Sequence, residues 1–242
     1  MKVILLFLTV VICVGCDRDG ANDVTIPPTH AADSSSTTPA TQATKLPRVV
    51  FLGDSITAGY GVDAEQAFPA LIRDALAEEG MPVDVVNLGV SGDTTAGGLA
   101  RIDWVLRQKP DVLVVGLGGN DGLRGQDVKS SEANLRAIVT KARGAGAQVL
   151  LLGMMIPPNY GPEYTKAFRE IYPRLAQELN VPLVPFLLEG VGGEATLNQG
   201  DGIHPTAEGH ERVAAHVMPS VRELLQKLPA TGVSHGGGIA RE

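Results

Sequence analysis

Past its first 47 residues and before its last dozen or so, the chain carries five serines, Ser55, Ser91, Ser130, Ser131 and Ser220. A serine hydroxyl becomes a nucleophile beside a base that takes its proton, and imidazole is the side chain suited to that near neutral pH. Ser55 follows Gly53-Asp54 at the end of an apolar run, where an exposed hydroxyl and free backbone N–H groups coincide. Ser91 is its rival: Gly89-Val90-Ser91-Gly92 half-matches the nucleophile elbow Gly-x-Ser-x-Gly, with Asp93 in the last position. The turn position favours Ser55, although a serine at a strand end also serves as a helix cap.

Of five histidines, His30 and His235 fall near the chain ends. His210 and His216 are six apart on one helical stretch and so face different ways. His204 differs, standing in Asp201-Gly202-Ile203-His204-Pro205. Pro205 disfavours helical geometry at His204, so Asp201 to His204 is predicted to be a turn. Such a turn can fold the carboxylate onto ring Nδ1 and leave Nε2 free as a base. An Asp-Gly turn ahead of a helix, with no chemistry, reads the same residues.

These groups need a frame that brings them together. From Arg48 onward, short β-branched runs alternate with amphipathic stretches. Strands are predicted at Val49–Gly53, Val83–Leu88, Val112–Leu117, Gln148–Gly153 and Pro182–Pro185, each a nearly continuous apolar run of the kind covered on both faces. Helices are predicted at 66–79, 94–108, 130–143, 162–179 and 207–227. The alternation reads as one doubly wound, flavodoxin-like α/β domain over 47–229: a parallel five-stranded sheet between two helical layers. In such a sheet the polar, glycine-rich strand ends at Gly53–Ser55, Asn87–Asp93 and Gly118–Asp121 converge on one edge.

Composition removes several functions. The 242 residues carry a formal charge of −7, the wrong sign for binding a phosphate backbone, and no basic stripe offsets it. The two cysteines, Cys13 and Cys16, exclude a disulfide framework, a cysteine nucleophile and a thiolate zinc site downstream. Gly116-x-Gly118 fails as a dinucleotide fingerprint because Asp121 stands at the third glycine, and no Gly-Lys pair offers a phosphate loop.

Met1-Lys2 and the apolar run Val3–Val14 are too short for the ~20 residues of a membrane span and read as a signal peptide over 1–15. Its end, Cys13-Val14-Gly15-Cys16, resembles the bacterial lipoprotein box, which implies a lipidated Cys16. Residues 16–46, dominated by Ser, Thr, Pro and Ala, read as a disordered tether, and 230–242 as a frayed tail. The expected location is the bacterial cell envelope, exported and lipid-anchored on the periplasmic side.

Four ordered blocks carry a wider resemblance: Gly53-Asp54-Ser55-Ile56-Thr57, Gly89 after a strand, Gly118-x-Asn120-Asp121, and Asp201-x-x-His204-Pro205. Together they resemble the GDSL or SGNH hydrolases, and most closely their bacterial thioesterase, lysophospholipase and arylesterase branch. Ser91 to Thr95, Pro158-Asn159-Tyr160-Gly161 and Ile171-Tyr172-Pro173 are similar to that branch too. The resemblance implies a Ser55-His204-Asp201 triad working through an acyl-enzyme. It also implies oxyanion donors at the Ser55 and Gly89 N–H groups and the Asn120 amide, with no metal or organic cofactor. Glycine at 89 would spare the substrate a crowding Cβ. Asp54, Asp93 and Asp121 read as turn or cap residues.

The substrates the resemblance implies are acyl-CoA thioesters, lysophospholipids and aryl or other short-to-long acyl esters. Between 47 and 229 the chain has 16 basic and 22 acidic residues, which disfavours anionic acyl-CoA and leaves a lysophospholipid or other membrane-derived ester. Met154, Met155, Ile156, Pro157 and Tyr160 are expected either to line an acyl groove or, for the methionines, to fill core. A carbohydrate-ester deacetylase on the same scaffold and a non-catalytic ligand-binding lipoprotein are the competing readings.

Overall fold

The computed structural model describes residues 45–229; the expectations for the signal peptide, Cys16, most of the tether and the tail lie outside the described residues. Five strands form one parallel sheet: β1 (Arg48–Gly53), β2 (Asp84–Gly89), β3 (Val112–Gly116), β4 (Gln148–Leu152) and β5 (Leu183–Val184), in the order β2-β1-β3-β4-β5. Helices α2 (Phe68–Glu78), α3 (Thr95–Leu106), α5 (Val128–Gly144), α6 (Pro162–Leu179) and α7 (Ala207–Gln226) make the crossovers and the C-terminal cover. α3, α5 and α6 pack in succession, and α2 packs on α7. Right-handed crossovers that run one way from β1 to β2 and the other way from β2 through β3 and β4 to β5 place these two groups on opposite faces. The predicted three-layer α/β architecture is the observed one.

The sheet's centre is dry. Val49 to Leu52 of β1 and Val112 to Val115 of β3 are buried, packed between Phe68, Ile72 and Val217 from one helix group and Ile102, Ile138 and Phe168 from the other. β2 departs from the expectation of strands covered on both faces: it is the sheet's edge and is only half-buried along its length. Its apolar run reads like the others because strand order, which decides coverage, is not written in local composition.

Two one-turn helices escape the periodicity. α1 (Ser55–Ala58) follows β1, and α4 (Gly119–Leu123) follows β3. Four or five residues are too few for a 3.6-residue period to declare itself. Both lie at the carboxyl edge beside the β1/β3 boundary, where the strand order changes direction and a crevice opens. No helix among the described residues is long and apolar enough to cross a membrane.

Candidate active site

Ser55 is the first residue of α1. Asp54 caps that helix, its Oδ1 accepting the Ile56 N–H at 3.0 Å. The turn closes with the Ala58 N–H donating to the Asp54 carbonyl at 2.9 Å and Gly59 in a left-handed conformation, φ +77°. The hydroxyl is thereby presented at the strand's end by backbone geometry alone. Ser91 lies exposed in the turn after β2.

From 149 residues away, His204 Nε2 lies 2.8 Å from Ser55 Oγ. Asp201 Oδ2 lies 2.6 Å from His204 Nδ1. An ionised carboxylate only accepts, so Nδ1 carries the proton and Nε2 accepts from the serine hydroxyl. The other carboxylate oxygen, Oδ1, accepts the N–H groups of Ile203 at 2.9 Å and His204 at 3.0 Å. The predicted turn before Pro205 is therefore built around the carboxylate. Those bonds, led by the one from the His204 ring, hold Asp201 at about 2, well below the usual carboxylate range. Tyr60 leans on the imidazole with ring centres 4.6 Å apart.

Asp54 has the opposite character. It is buried, and loss of solvent raises its carboxyl to about 6 against the lowering effect of the Ile56 N–H. Asp121, also buried, accepts from the Thr95 N–H at 2.9 Å and hydroxyl at 2.6 Å, and from the Ser131 hydroxyl at 3.2 Å, tying α4 to α3 and α5. Asp93 pairs with Arg101 at 2.7 Å, and the Arg101 guanidinium also donates to the Leu88 and Gly53 carbonyls at the strand ends. All three aspartates serve the scaffold, as expected.

The expected donors for a developing oxyanion meet a more specific geometry. Asn120 is the second residue of α4, and Arg124 Nη2 lies 3.4 Å from its Oδ1, an orientation that leaves the amide N–H groups facing away. The same Nη2 donates to the Gly92 carbonyl at 3.0 Å, so Asn120 and Gly92 are neighbours. Gly89 does not fit the role read from the sequence. Its N–H donates to Asn87 Oδ1 at 3.0 Å, while Asn87 Nδ2 donates to the Thr57 carbonyl at 2.8 Å. Its lack of a side chain also has another cause: a Cβ at 89 would overlap the Ala58 backbone nitrogen, so glycine lets α1 lie against the end of β2. Gly92, at φ +80°, sits in the next turn with its carbonyl pinned by Arg124. The signal for it was available in Ser91-Gly92-Asp93, but a turn glycine announces conformation and not which way its N–H points.

The five expected groove residues do not form one wall. Met154 and Ile156 are buried in the core beneath α4, Met154 Cε against Gly119 and Ile156 against Gly122. Met155 and Pro157 are exposed, and the Tyr160 hydroxyl donates to the Leu123 carbonyl at 2.7 Å. Met154, Ile156 and Tyr160 thus support the short helix that carries Asn120. His210 and His216 stay apart: His210 Nδ1 accepts the Phe68 N–H at 3.3 Å in the core, and His216 Nε2 lies 3.0 Å from the Phe186 carbonyl. No three His, Cys, Asp or Glu side chains among the described residues are grouped to hold a metal ion.

A hydroxyl, an imidazole that accepts its proton and a carboxylate that fixes the imidazole are parts for acyl transfer. Comparison with known proteins agrees. The GDSL-like Lipase/Acylhydrolase family matches residues 51–212. The chain is 46% identical over 186 residues to Esterase TesA of Pseudomonas aeruginosa, covering 76% of this chain and 92% of that one. It is 41% identical over 178 residues to Thioesterase 1/protease 1/lysophospholipase L1 of Escherichia coli strain K12, covering 73% and 84%. The crystal structure of TesA superposes with a TM-score of 0.71 at 47% identity, covering 73% of this chain and 99% of that one. The chain belongs to the GDSL-like lipase/acylhydrolase family and is a carboxylic ester hydrolase of the serine type.

Proposed function

We propose that Ser55, His204 and Asp201 hydrolyse acyl esters through a covalent acyl-enzyme. The observation that carries this reading is the continuous chain of contacts from the Ser55 hydroxyl through His204 to Asp201, at 2.8 and 2.6 Å. Ser55 Oγ attacks the acyl carbonyl as its proton passes to His204 Nε2, and Asp201 stabilises the imidazolium. The same Nε2 proton goes to the departing alcohol when the C–O bond breaks. Water then attacks the acyl carbon as His204 takes its proton; the acyl–Ser55 bond breaks as His204 returns that proton to Ser55 Oγ, and the carboxylic acid leaves.

The oxyanion of each tetrahedral intermediate takes hydrogen bonds from the Ser55 N–H, the Asn120 amide and the Gly92 N–H. Gly92 replaces Gly89 because the Gly89 N–H is already engaged by Asn87, whereas Gly92 shares the Arg124 clamp with Asn120. Preorganised donors of this kind need no rearrangement as charge develops.

The substrate reading is a lysophospholipid or similar membrane-derived ester. It draws on the acidic body, on the lipoprotein-like leader at 1–16, and on a relative whose name includes both thioesterase and lysophospholipase. In this reading a hydrolase domain over 47–229 is carried on a tether from a lipidated Cys16, in the cell envelope. Turnover of a nitrophenyl ester series from acetate to palmitate, beside lysophosphatidylcholine, tests it. The expected result is activity rising with acyl length and release of fatty acid from the lysophospholipid. A sharp optimum at acetate, with the lysophospholipid untouched, supports deacetylation instead. Replacing Cys16 by Ala should release the protein from membranes, and unchanged membrane partitioning contradicts the anchor.

A further inference from the structure

Ser55 and His204 come from opposite ends of the domain, and their 2.8 Å contact needs something to hold the two segments in register. Ser55 belongs to a rigid unit made by β1, α1 and the turn that follows, in which the Tyr60 N–H donates to the Ser55 carbonyl at 3.0 Å. His204 belongs to a loop folded back on itself. The Thr206 N–H donates to the Leu197 carbonyl at 2.9 Å, the Gln199 N–H to the His204 carbonyl at 2.7 Å, and Asn198 forms a bridge with Pro205. Gln199 also reaches across to the other segment. Its Nε2 donates to the Tyr60 carbonyl at 2.7 Å and to the Pro205 carbonyl at 3.0 Å, two acceptors for the amide's two hydrogens. Its Oε1 occupies the space where a side chain at Gly61 would begin.

The geometry points to Gln199 as the positioning residue that registers the imidazole on the nucleophile. It touches no reacting atom. Its main chain holds the carbonyl of His204, and its side chain ties the residue after His204 to Tyr60, whose ring rests on the imidazole. One residue thus fixes both the base and the wall behind it to the segment bearing Ser55. The inference rests on the Ser55–His204 reading above. It differs from a space-filling role in one physical respect: the amide must donate twice, so shape without donors does not suffice.

Two variants of the full chain test this, Gln199→Ala and Gln199→Glu, assayed with a nitrophenyl ester. Rates are divided by the number of sites titrated with a fluorophosphonate, and thermal melting is followed in parallel. For Gln199→Ala the expected result is a kcat lower by roughly 10- to 100-fold with KM little changed, since misplacing a catalytic group by about 1 Å costs that much. Gln199→Glu keeps the shape but turns a carboxylate towards two carbonyls. At pH 8 it should be no faster than Gln199→Ala, and its rate relative to wild type should recover only in part as the pH falls, because the protonated carboxyl has one hydrogen to donate where the amide has two.

Wild-type kcat in Gln199→Glu at pH 8 overturns the inference, as does a loss confined to KM. A rate per titrated site equal to wild type in Gln199→Ala does so too, even where that variant melts early. Ser55→Ala is measured in the same assay: activity surviving there breaks the catalytic reading itself, whereas unaffected Gln199 variants beside an inactive Ser55→Ala break only the positioning role.

Discussion

The two aspartates next to Ser55 and His204 have opposite environments. Asp54, beside Ser55, is buried at the root of α1, and its carboxyl is pushed up to about 6 by loss of solvent. Asp201, beside His204, has a side chain 41% exposed, and hydrogen bonds hold it at about 2. The nucleophile's side of the site is kept in place by core: β1, the capped turn and the glycine at 89 that lets α1 lie flat. The base's side is kept in place by hydrogen bonds at the surface, from the Asp201 carboxylate and the Gln199 amide. The proposed mechanism needs both, but the two sides should fail differently when altered.

On the buried side, Ser55→Ala leaves the helix cap and the backbone N–H intact and removes only the attacking oxygen. Turnover of a nitrophenyl ester should fall on the order of 10⁴- to 10⁶-fold, with no loss of thermal stability, as for other triad serines. On the exposed side, Asp201→Asn can still accept the Ile203 and His204 N–H groups through its carbonyl oxygen. Its amide then turns a donor towards Nδ1 and forces the wrong imidazole tautomer, so kcat should fall by about 10⁴ while the loop stays folded. Circular dichroism and kinetics on one preparation separate these outcomes. A lost fold in Asp201→Asn contradicts the assignment of the loop's integrity to backbone-directed bonds.

A third element, the short helix α4, carries Asn120. Asn120→Ala should lower kcat by ~10²- to 10³-fold, the usual cost of one oxyanion donor, with KM little altered. Wild-type kcat there removes Asn120 from the mechanism and with it the case for its neighbour Gly92.

The smallest effects concern stability against pH. Asp54 is raised from 3.8 to about 6, so its contribution is complete below pH 3.8 and is lost as the pH rises through 6. His210, buried and held neutral by loss of solvent, is lowered from 6.5 to about 4; its contribution is complete above pH 6.5 and is lost as the pH falls through 4. Each difference corresponds to about 3 kcal/mol, and between pH 4 and 6 they oppose one another. Denaturant unfolding across that window should therefore be nearly flat in the wild type. It should slope towards greater stability at low pH in His210→Gln, and towards lower stability at low pH in Asp54→Asn. Parallel profiles in both variants contradict the pairing.

Much of this arrangement is legible in the chain. Apolar runs broken by glycine-rich turns disclose the alternating strands and helices, because a strand covered on both faces has no polar positions to spare. His204 is distinguished by Pro205, which forces a turn where His210 and His216 have a helix. Other features depend on contacts that no local pattern records. The helices bearing Ser55 and Asn120 are single turns. The half-covered state of β2 follows from its place in the sheet order. Gly89 looks like a donor until Asn87 is seen to take its N–H, and Gln199 gains its role from a carbonyl 139 residues earlier.

Labelling the whole protein with a fluorophosphonate, followed by peptide mass spectrometry, asks directly which oxygen becomes covalently attached. The expected adduct is on the peptide containing Ser55, and it should disappear when His204 is replaced by Ala. Stoichiometric labelling of Ser91, or labelling of Ser55 at an undiminished rate without His204, contradicts the mechanism.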